Sequence, residues 1–414
     1  MKVFFSLLLV VVFTAAHAQT VKTNLVVIGK TDSVSSKILK EKRTVWIYLP
    51  ADYDANAKTR YPVIYLLDAD WNFAAFSGMV HELSEVIGNT VVPPVIIVSI
   101  PNTDRTRDLT PTKSDLGPEG KKVPDFGTSG GGENFTSFIK TELMPHIDSA
   151  YRTAPYKMLI GHSFGGLTAM NIIINHTEMF NSYVVIDPSM WWDKRKLLNQ
   201  ARDVFKQKNF TGKSMFLVIA NTMPDGMDTT RVQKDTSGIT SHIRSILELK
   251  NILQHNPQNG LNWTYKYYNT DSHGTVPLIG EYDAMHFIFG FYNFPTSFQT
   301  TAMDSRSKVD VAAMIGTHYE DVSKHMGYQI LPPEDMINQL GYYFLQSNRP
   351  DRSYAMFDLN IKNYPDSQNV YDSMGDYYDN QKNKAKAIEY YTKALKIKDN
   401  PDTKKKLDKL QTDK

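Results

Sequence analysis

The apolar run Tyr156-Lys157-Met158-Leu159-Ile160 leads directly into Gly161-His162-Ser163-Phe164-Gly165, and a helical pattern from Leu167 to Ile174 follows. Few features constrain a chain more than a strand that must turn at once into a helix with a serine at the turn. Glycine on both sides lets the backbone take angles closed to other residues, and Gly166 lets the helix pack close to the strand. G-x-S-x-G in this setting holds a hydroxyl out on a sharp turn, where a nearby base can activate it. An ordinary Gly-rich strand-to-helix turn would carry the same glycines without the base, so the rest of the chain has to supply one.

The surrounding pattern predicts the sheet that such a turn needs. Residues 43–49 alternate like a strand ending at Pro50. Pro62 to Leu67 and Pro94 to Ile100 are unbroken apolar runs, as expected of strands buried on both faces of a parallel sheet. Residues 132–149 carry Phe135, Phe138, Ile139, Leu143 and Ile147 at helical spacing. Further strands are expected at Tyr183–Ile186, Met215–Ala220 and Leu261–Tyr268. Strands alternating with helices in this order predict an α/β fold with a mostly parallel sheet and helices on both faces.

With 414 residues the chain exceeds one typical domain. Its 46 Lys+Arg balance 44 Asp+Glu, which gives no reason to expect a nucleic acid or an anionic membrane surface as partner. Residues 1–18 read as a signal peptide: Lys2, then Val3 to Val12, then Ala16-His17-Ala18 as the cleavage site, with mature protein beginning near Gln19. The apolar stretch is short for a bilayer, and no later run suits a membrane helix. There is no cysteine, hence no disulfide, which for an exported chain suits a bacterial periplasm or exterior.

Asn102 to Gly132 is expected to be a polar surface loop over the site. Its Ser129-Gly130-Gly131-Gly132 lacks the Lys-Ser/Thr that would hold a nucleotide. From about residue 334 the pattern turns wholly helical. Ile337, Leu340-Gly341, Phe344, Phe357 and Asn360 recur 34 residues later as Tyr371, Met374-Gly375, Tyr378, Tyr391 and Ala394, a period that resembles the tetratricopeptide repeat. Two copies bury little alone and are expected to dock on the preceding segment or on the α/β part. The expected divisions are a signal peptide at 1–18, the α/β part at 19–297, a helical connector at 298–333, two repeats at 334–402 and a basic tail at 403–414, a solvated helix end.

If Ser163 is a nucleophile, the chain order should be Ser, then Asp or Glu, then His. His273 follows the last strand, in Asp271-Ser272-His273-Gly274, at the sheet edge where ligands bind in open α/β sheets. His162 is expected to point away from the site, and His242 to sit on a helix. The acid is expected after strand Met215–Ala220: Asp228 first, Asp225 second, with Asp235 also eligible, although each could cap the next helix instead. Asp187, at the end of the preceding strand, is the outside candidate, and a Ser–His dyad without an acid also fits. The oxyanion hole needs two backbone N–H groups. Phe164 is one, and Asp70, in Asp68-Ala69-Asp70-Trp71, is chosen as the other. No His/Asp/Glu cluster accompanies Asp68 and Asp70, so neither metal nor cofactor is expected. Trp191 and Trp192 could line a substrate pocket or lie in the core. Arg105 and Arg107 could clamp a substrate carboxylate or, more in keeping with such charges, pair with Asp104 or Asp108.

With these residues in view, the chain resembles the esterase branch of the α/β-hydrolases, which contains siderophore esterases, feruloyl esterases, S-formylglutathione hydrolase and mycolyltransferases. The resemblance spans roughly 35–295. It is carried by Ser36-Lys37-Ile38-Leu39 through Tyr48-Leu49-Pro50, Leu66-Leu67-Asp68-Ala69-Asp70, Arg107-Asp108-Leu109-Thr110-Pro111, Leu159 to Gly166, Ile186-Asp187-Pro188-Ser189-Met190-Trp191-Trp192, and Ser272 to Pro277. It implies Ser163 as nucleophile, His273 as base, and the N–H groups of Asp70 and Phe164 as oxyanion donors. The family often has Gly where Ala69 stands. The expectation is an exported serine carboxylic-ester hydrolase working through an acyl-enzyme on a small, siderophore- or feruloyl-type ester. The rivals are an acyltransferase with the same residues, and a binding or scaffold protein acting through its helical repeats. Beside a small-molecule ester substrate, a protein partner or self-association through those repeats is left open.

Overall fold

The computed structural model describes residues 25–53, 59–86, 91–294, 297–304 and 306–412; the expected signal peptide at 1–18 lies outside them. Eight strands form one sheet: β1 (Lys30–Ser36), β2 (Glu41–Tyr48), β3 (Tyr61–Leu67), β4 (Ile96–Ile100), β5 (Thr153–His162), β6 (Ser182–Ile186), β7 (Ser214–Ala220) and β8 (Asn262–Tyr268). Their order is β1-β2-β4-β3-β5-β6-β7-β8. The pairs β1–β2 and β2–β4 are antiparallel, and every pairing from β4 through β8 is parallel. The expected mostly parallel α/β sheet is therefore present. Strand β1 went unforeseen because its sequence, KTDSVSS, turns only Val34 and Ser36 into the protein. Its ladder with β2, and not its own pattern, makes it a strand.

The helices between strands are α1 (Ala69–Ser84), α2 (Arg105–Leu109), α3 (Gly132–Phe138), α4 (Met144–Ala150), α5 (Phe164–Asn175), α6 (Trp192–Gln207) and α7 (Ser241–Gln254), and α8 (Val276–Ile288) follows the last strand. The helix expected at 132–149 is α3 and α4 joined by a π-turn, Ile139–Leu143, with Pro145 in the first turn of α4. A proline there cannot donate to the preceding turn, which favours the wider loop of backbone. The unbroken apolar runs behave as a two-sided sheet demands. Val63, Tyr65 and Leu67 of β3 join the core layer that holds Phe135, Leu167, Leu198 and Ile246, whereas Ile64 and Leu66 join the opposite layer with Phe76, Val80, Met285 and Ile288.

That second layer also takes in Val322 and Met326 of α10 (Val311–Met326), which follows α9 (Ser297–Met303). Four helices come next: α11 (Glu334–Gln346), α12 (Pro350–Asn363), α13 (Gln368–Asn380) and α14 (Lys384–Ile397). The start of α13 lies 34 positions after that of α11, and the same holds for α14 and α12. The two pairs cross alike: a Cβ at Gly341 would overlap the Phe357 ring, and one at Gly375 the Tyr391 ring. Ile337, Phe344 and Met356 pack on Phe298, Val311, Ile315 and Tyr319, so the first pair docks on the preceding segment. The tail, expected to be a solvated helix end, is a helix that packs, α15 (Pro401–Thr412). Its Lys406 binds Asp372 and Asp376 of α13 at 2.8 Å each, and Leu407 and Leu410 join the core of the second pair.

One buried carboxyl stands apart from this core. Glu281 of α8 is fully buried, its Oε1 has no hydrogen-bond partner, and burial pushes its pKa up to about 8. The native state therefore keeps a proton that the unfolded chain gives up above its ordinary carboxyl pKa. Stability falls as pH rises from about 4.5 towards 8. Glu281→Gln should raise the thermal midpoint more at pH 8 than at pH 5; an equal effect at both would contradict this. Gly375→Ala should lower the urea midpoint of the helical region, because overpacking costs about 1–3 kcal/mol against the roughly 1 kcal/mol that Ala gains in a helix.

Candidate functional site

Three residues other than glycine have positive φ at the carboxyl ends of neighbouring parallel strands: Asp68 after β3 (56°), Ser163 after β5 (59°) and Asp187 after β6 (40°). Such angles persist only where the surroundings hold them. At Ser163 those surroundings are explicit. Its N–H donates to the Ile186 carbonyl of β6 (2.9 Å), and its own carbonyl accepts from Leu167 (2.9 Å) and Ser189 (3.1 Å). A Cβ at Gly161 would overlap the Gly165 carbonyl, and one at Gly166 would come within 3.0 Å of the Ile186 carbonyl. The Ser163 hydroxyl lies 3.4 Å from that of Ser189. Phe164 opens α5, so its N–H has no partner one turn back and is free to point at a ligand.

The register of β6 on β5 pairs Ile186 with His162, which sets Asp187 beside Ser163. The Asp187 side chain is 0% exposed. Its N–H donates to the Val218 carbonyl (2.9 Å), and its Oδ1 accepts from the Ala220 N–H (3.0 Å), so β7 fixes it on both counts. Its Oδ2 accepts from two imidazoles, His273 Nδ1 at 2.6 Å and His242 Nε2 at 2.8 Å. Burial alone would raise the carboxyl pKa. The hydrogen bonds and charges of the two histidines outweigh it and hold the group well below the usual carboxylate range.

His273 comes from the loop after β8 and is 39% exposed. The backbone bond from Asn221 N–H to the Asp271 carbonyl (2.8 Å) ties that loop to the end of β7. The His162 ring lies 4.5 Å from that of His273, contrary to the expectation that it points away. Burial, then the charge of His273, pushes the His162 pKa down to about 4, so this neighbour is neutral at neutral pH.

The acid expected after β7 does not reach His273. Asp228 is 57% exposed and accepts from the N–H groups of Thr230 and Arg231, both at 2.8 Å, in its own turn. Asp225 is exposed, and Asp235 binds Ser237 and Thr240. Asp228 and Asp235 are thus spent on their own turns and cap neither of the helices that follow. Asp187, the outside candidate, makes the contact to His273. His242 carried no expected role beyond its helix. It sits in the first turn of α7, 55 positions beyond Asp187 in sequence, and no local motif marks it.

The two tryptophans divide the roles open to them. Trp192 is buried, with its indole N–H on the Thr112 carbonyl (3.0 Å). Trp191 is half-buried and stands with Phe126 and Phe164 in the wall of a pocket of about 370 Å³ that also holds Pro118, Ser163, Ser189, His242 and His273. Pro118 and Phe126 belong to the 102–132 segment, which reaches over the site as expected but is not all surface loop, since it contains α2 with Asp108 and Leu109 buried. Larger cavities lie between α10, α12 and the loops beside them, with no histidine in their linings. Arg105 pairs with Asp68 (2.7 and 2.9 Å), not with Asp104 or Asp108, and donates to the His162 carbonyl (3.2 Å). It thereby ties the loop after β3 to the serine turn. Arg107 pairs with Asp108 (2.7 Å) and Glu41 (2.8 Å). Asp70 lies in the first turn of α1, its carboxylate held by Asn102 (2.8 Å), and its N–H is among the turn's unpaired donors.

Asp187, His242 and His273 also form a group, among the described residues, whose ligand atoms lie within 4.8 Å of one another and could hold a metal ion. In the structure both imidazoles spend their N–H on one carboxylate oxygen, which is a hydrogen-bonding arrangement.

The family model described as "Putative esterase" matches residues 36–245. The chain is 31% identical over 169 residues to the ferri-bacillibactin esterase BesA of Bacillus subtilis, a match covering 39% of this chain and 58% of that one. It is 30% identical over 166 residues to the siderophore enterobactin esterase of Emericella nidulans, covering 36% and 52%. The matches thus span little more than half the length of these curated relatives. Among solved structures, an IroE-like serine hydrolase from Shewanella oneidensis superposes with a TM-score of 0.68 at 29% identity, covering 81% of this chain and 99% of its own.

If Asp187 supports His273, Asp187→Asn should cut ester turnover about 10²–10⁴-fold by fixing the wrong tautomer. Asp228→Asn should leave it within about twofold, as for an exposed surface change. Steady-state rates of the two variants side by side check both.

Proposed function

Because the chain belongs to the esterase family matched over residues 36–245, we propose that it is a serine carboxylic-ester hydrolase using Ser163, His273 and Asp187. The observation that carries the reading is the buried Asp187 carboxylate on His273 Nδ1, in the same pocket as a serine held at φ 59°. A proton on Nδ1 leaves His273 Nε2 as the free lone pair. Nε2 takes the Ser163 proton as Oγ bonds to the ester carbonyl carbon. The tetrahedral oxyanion is met by the N–H groups of Phe164 and Asp70. Collapse breaks the C–O bond, and the His273 proton goes to the leaving alkoxide, giving the acyl-enzyme. Water then gives a proton to the same Nε2, attacks the acyl carbon and restores Ser163.

The relatives named above support a siderophore-type ester as substrate. The aromatic wall of Phe126, Phe164 and Trp191 supports an acyl or alcohol group with a flat apolar face. The N-terminal pattern of residues 1–18 supports export, to a periplasm or beyond. We read 334–402 as two tetratricopeptide-like repeats. The reading rests on the 34-residue offset and the matched crossings at Gly341 and Gly375. In this reading the repeats brace the α/β part or mediate association.

Hydrolysis of a p-nitrophenyl ester series, with Ser163→Ala and His273→Ala run beside it, tests the proposal. Turnover should fall by about 10⁴-fold or more in both, as when a unit of interdependent groups loses a member. Undiminished turnover in Ser163→Ala, or no labelling of the unaltered protein by a fluorophosphonate, would overturn it.

A further inference from the structure

Asp187 Oδ2 carries two imidazoles, and the reaction just described uses only one. His242 donates from Nε2 to Asp187 at 2.8 Å, and its other nitrogen, Nδ1, accepts from the Trp191 indole N–H at 3.1 Å. An indole N–H only donates, so Nδ1 must be the lone-pair nitrogen and Nε2 must carry the proton. The two contacts therefore fix His242 as a neutral imidazole of one tautomer. Its ring stands edge-on to that of His273, centroids 5.0 Å apart at 90°. Trp191 packs 5.7 Å from Trp192 and 6.2 Å from Phe164, in the wall of the pocket that holds Ser163. A line of hydrogen bonds thus runs from the pocket wall, through His242, to the buried carboxylate and on to His273.

Resting on the hydrolase reading above, we propose that His242 is a positioning residue that aims the Asp187 carboxylate at His273, and that Trp191 sets His242. The physical case is one of satisfaction and direction. A carboxylate with no exposure to water needs donors around both oxygens, or it swings towards whichever remain. Ala220 N–H holds Oδ1 at 3.0 Å. On Oδ2, His273 sits on a loop that has to move protons, whereas His242 sits on a regular helix, α7, whose Ile243 and Ile246 are buried in the core. The helix-borne imidazole keeps Oδ2 in place while the loop-borne one works. A neutral donor suits this role, because a second cation on the same oxygen would compete with the imidazolium that forms on His273.

Three variants test this, measured with Ser163→Ala and His273→Ala in the same assay. His242→Phe keeps a ring and removes the donor. It should lower kcat about 10- to 100-fold, the loss of one hydrogen bond to a charged group, with KM changed far less. The rate of fluorophosphonate labelling at Ser163 should fall in step. His242→Gln places an amide N–H near the old Nε2 and should recover most of both rates. Trp191→Phe should lower kcat in the unaltered protein and add no further loss to His242→Phe, as expected of residues acting through one contact. Wild-type kcat and labelling in folded His242→Phe would overturn the proposal. Equal losses in the Phe and Gln variants, with a matching drop in thermal midpoint, would also overturn it by leaving His242 a purely structural part. If Ser163→Ala and His273→Ala kept turnover, the hydrolase reading itself would fall. If they lost it while His242→Phe did not, only the role of His242 would.

Discussion

A carboxylate sealed from water beneath two imidazoles is the constraint around which the rest is arranged. Asp187 has no exposure, and three donors from three parts of the chain converge on it: Ala220 at the end of β7, His273 after β8 and His242 on α7. Keeping a charge there is costly unless every lone pair is engaged. The sheet meets that demand through register. Pairing of Ile186 with His162 and of Val218 with Ile186 lays the ends of β5, β6 and β7 side by side, so the serine turn, the carboxylate and its backbone donor are neighbours before any side chain is placed.

Backbone strain gathers at the same edge. Asp68, Ser163 and Asp187 all take positive φ where the strands end, and each is held by charge-assisted or backbone hydrogen bonds. Arg105 joins two of these points, gripping Asp68 with two bonds and reaching the His162 carbonyl with a third. The turn after β3 and the turn after β5 therefore behave as one unit. Phe126 and Pro118, from the segment between β4 and α3, close the pocket over it. Behind the sheet, α10 completes the second core layer, and the first helix pair, α11 and α12, leans on α9 and α10 through Ile337, Phe344 and Met356.

Much of this was legible in the residues. Unbroken apolar runs become strands buried on both faces because successive side chains point to opposite layers, and both layers are apolar. The 34-residue recurrence, with a small residue where two helices meet, becomes two helix pairs with the same crossing at Gly341 and Gly375. Features that rest on pairing were harder to see. Strand β1 has almost no apolar signal, and the helix at 132–150 hides a π-turn. The end of the chain is charged along its length yet packs through Lys406, Leu407 and Leu410.

The sequence alone determined the α/β architecture, the serine turn at Ser163 and the histidine after the last strand, because each is written in local pattern: periodicity, glycine spacing, order along the chain. Only the tertiary structure decided which carboxylate His273 meets. Asp225, Asp228 and Asp235 lie in a loop where sequence order favoured them, but short-range backbone donors claim Asp228 and neighbouring hydroxyls claim Asp235. Asp187 prevails because strand register brings it beside Ser163 and burial leaves it no water. His242 is the same lesson at greater range. Nothing within its own helix hints at a partner 55 residues away, and the contact exists only because α7 packs where β6 ends.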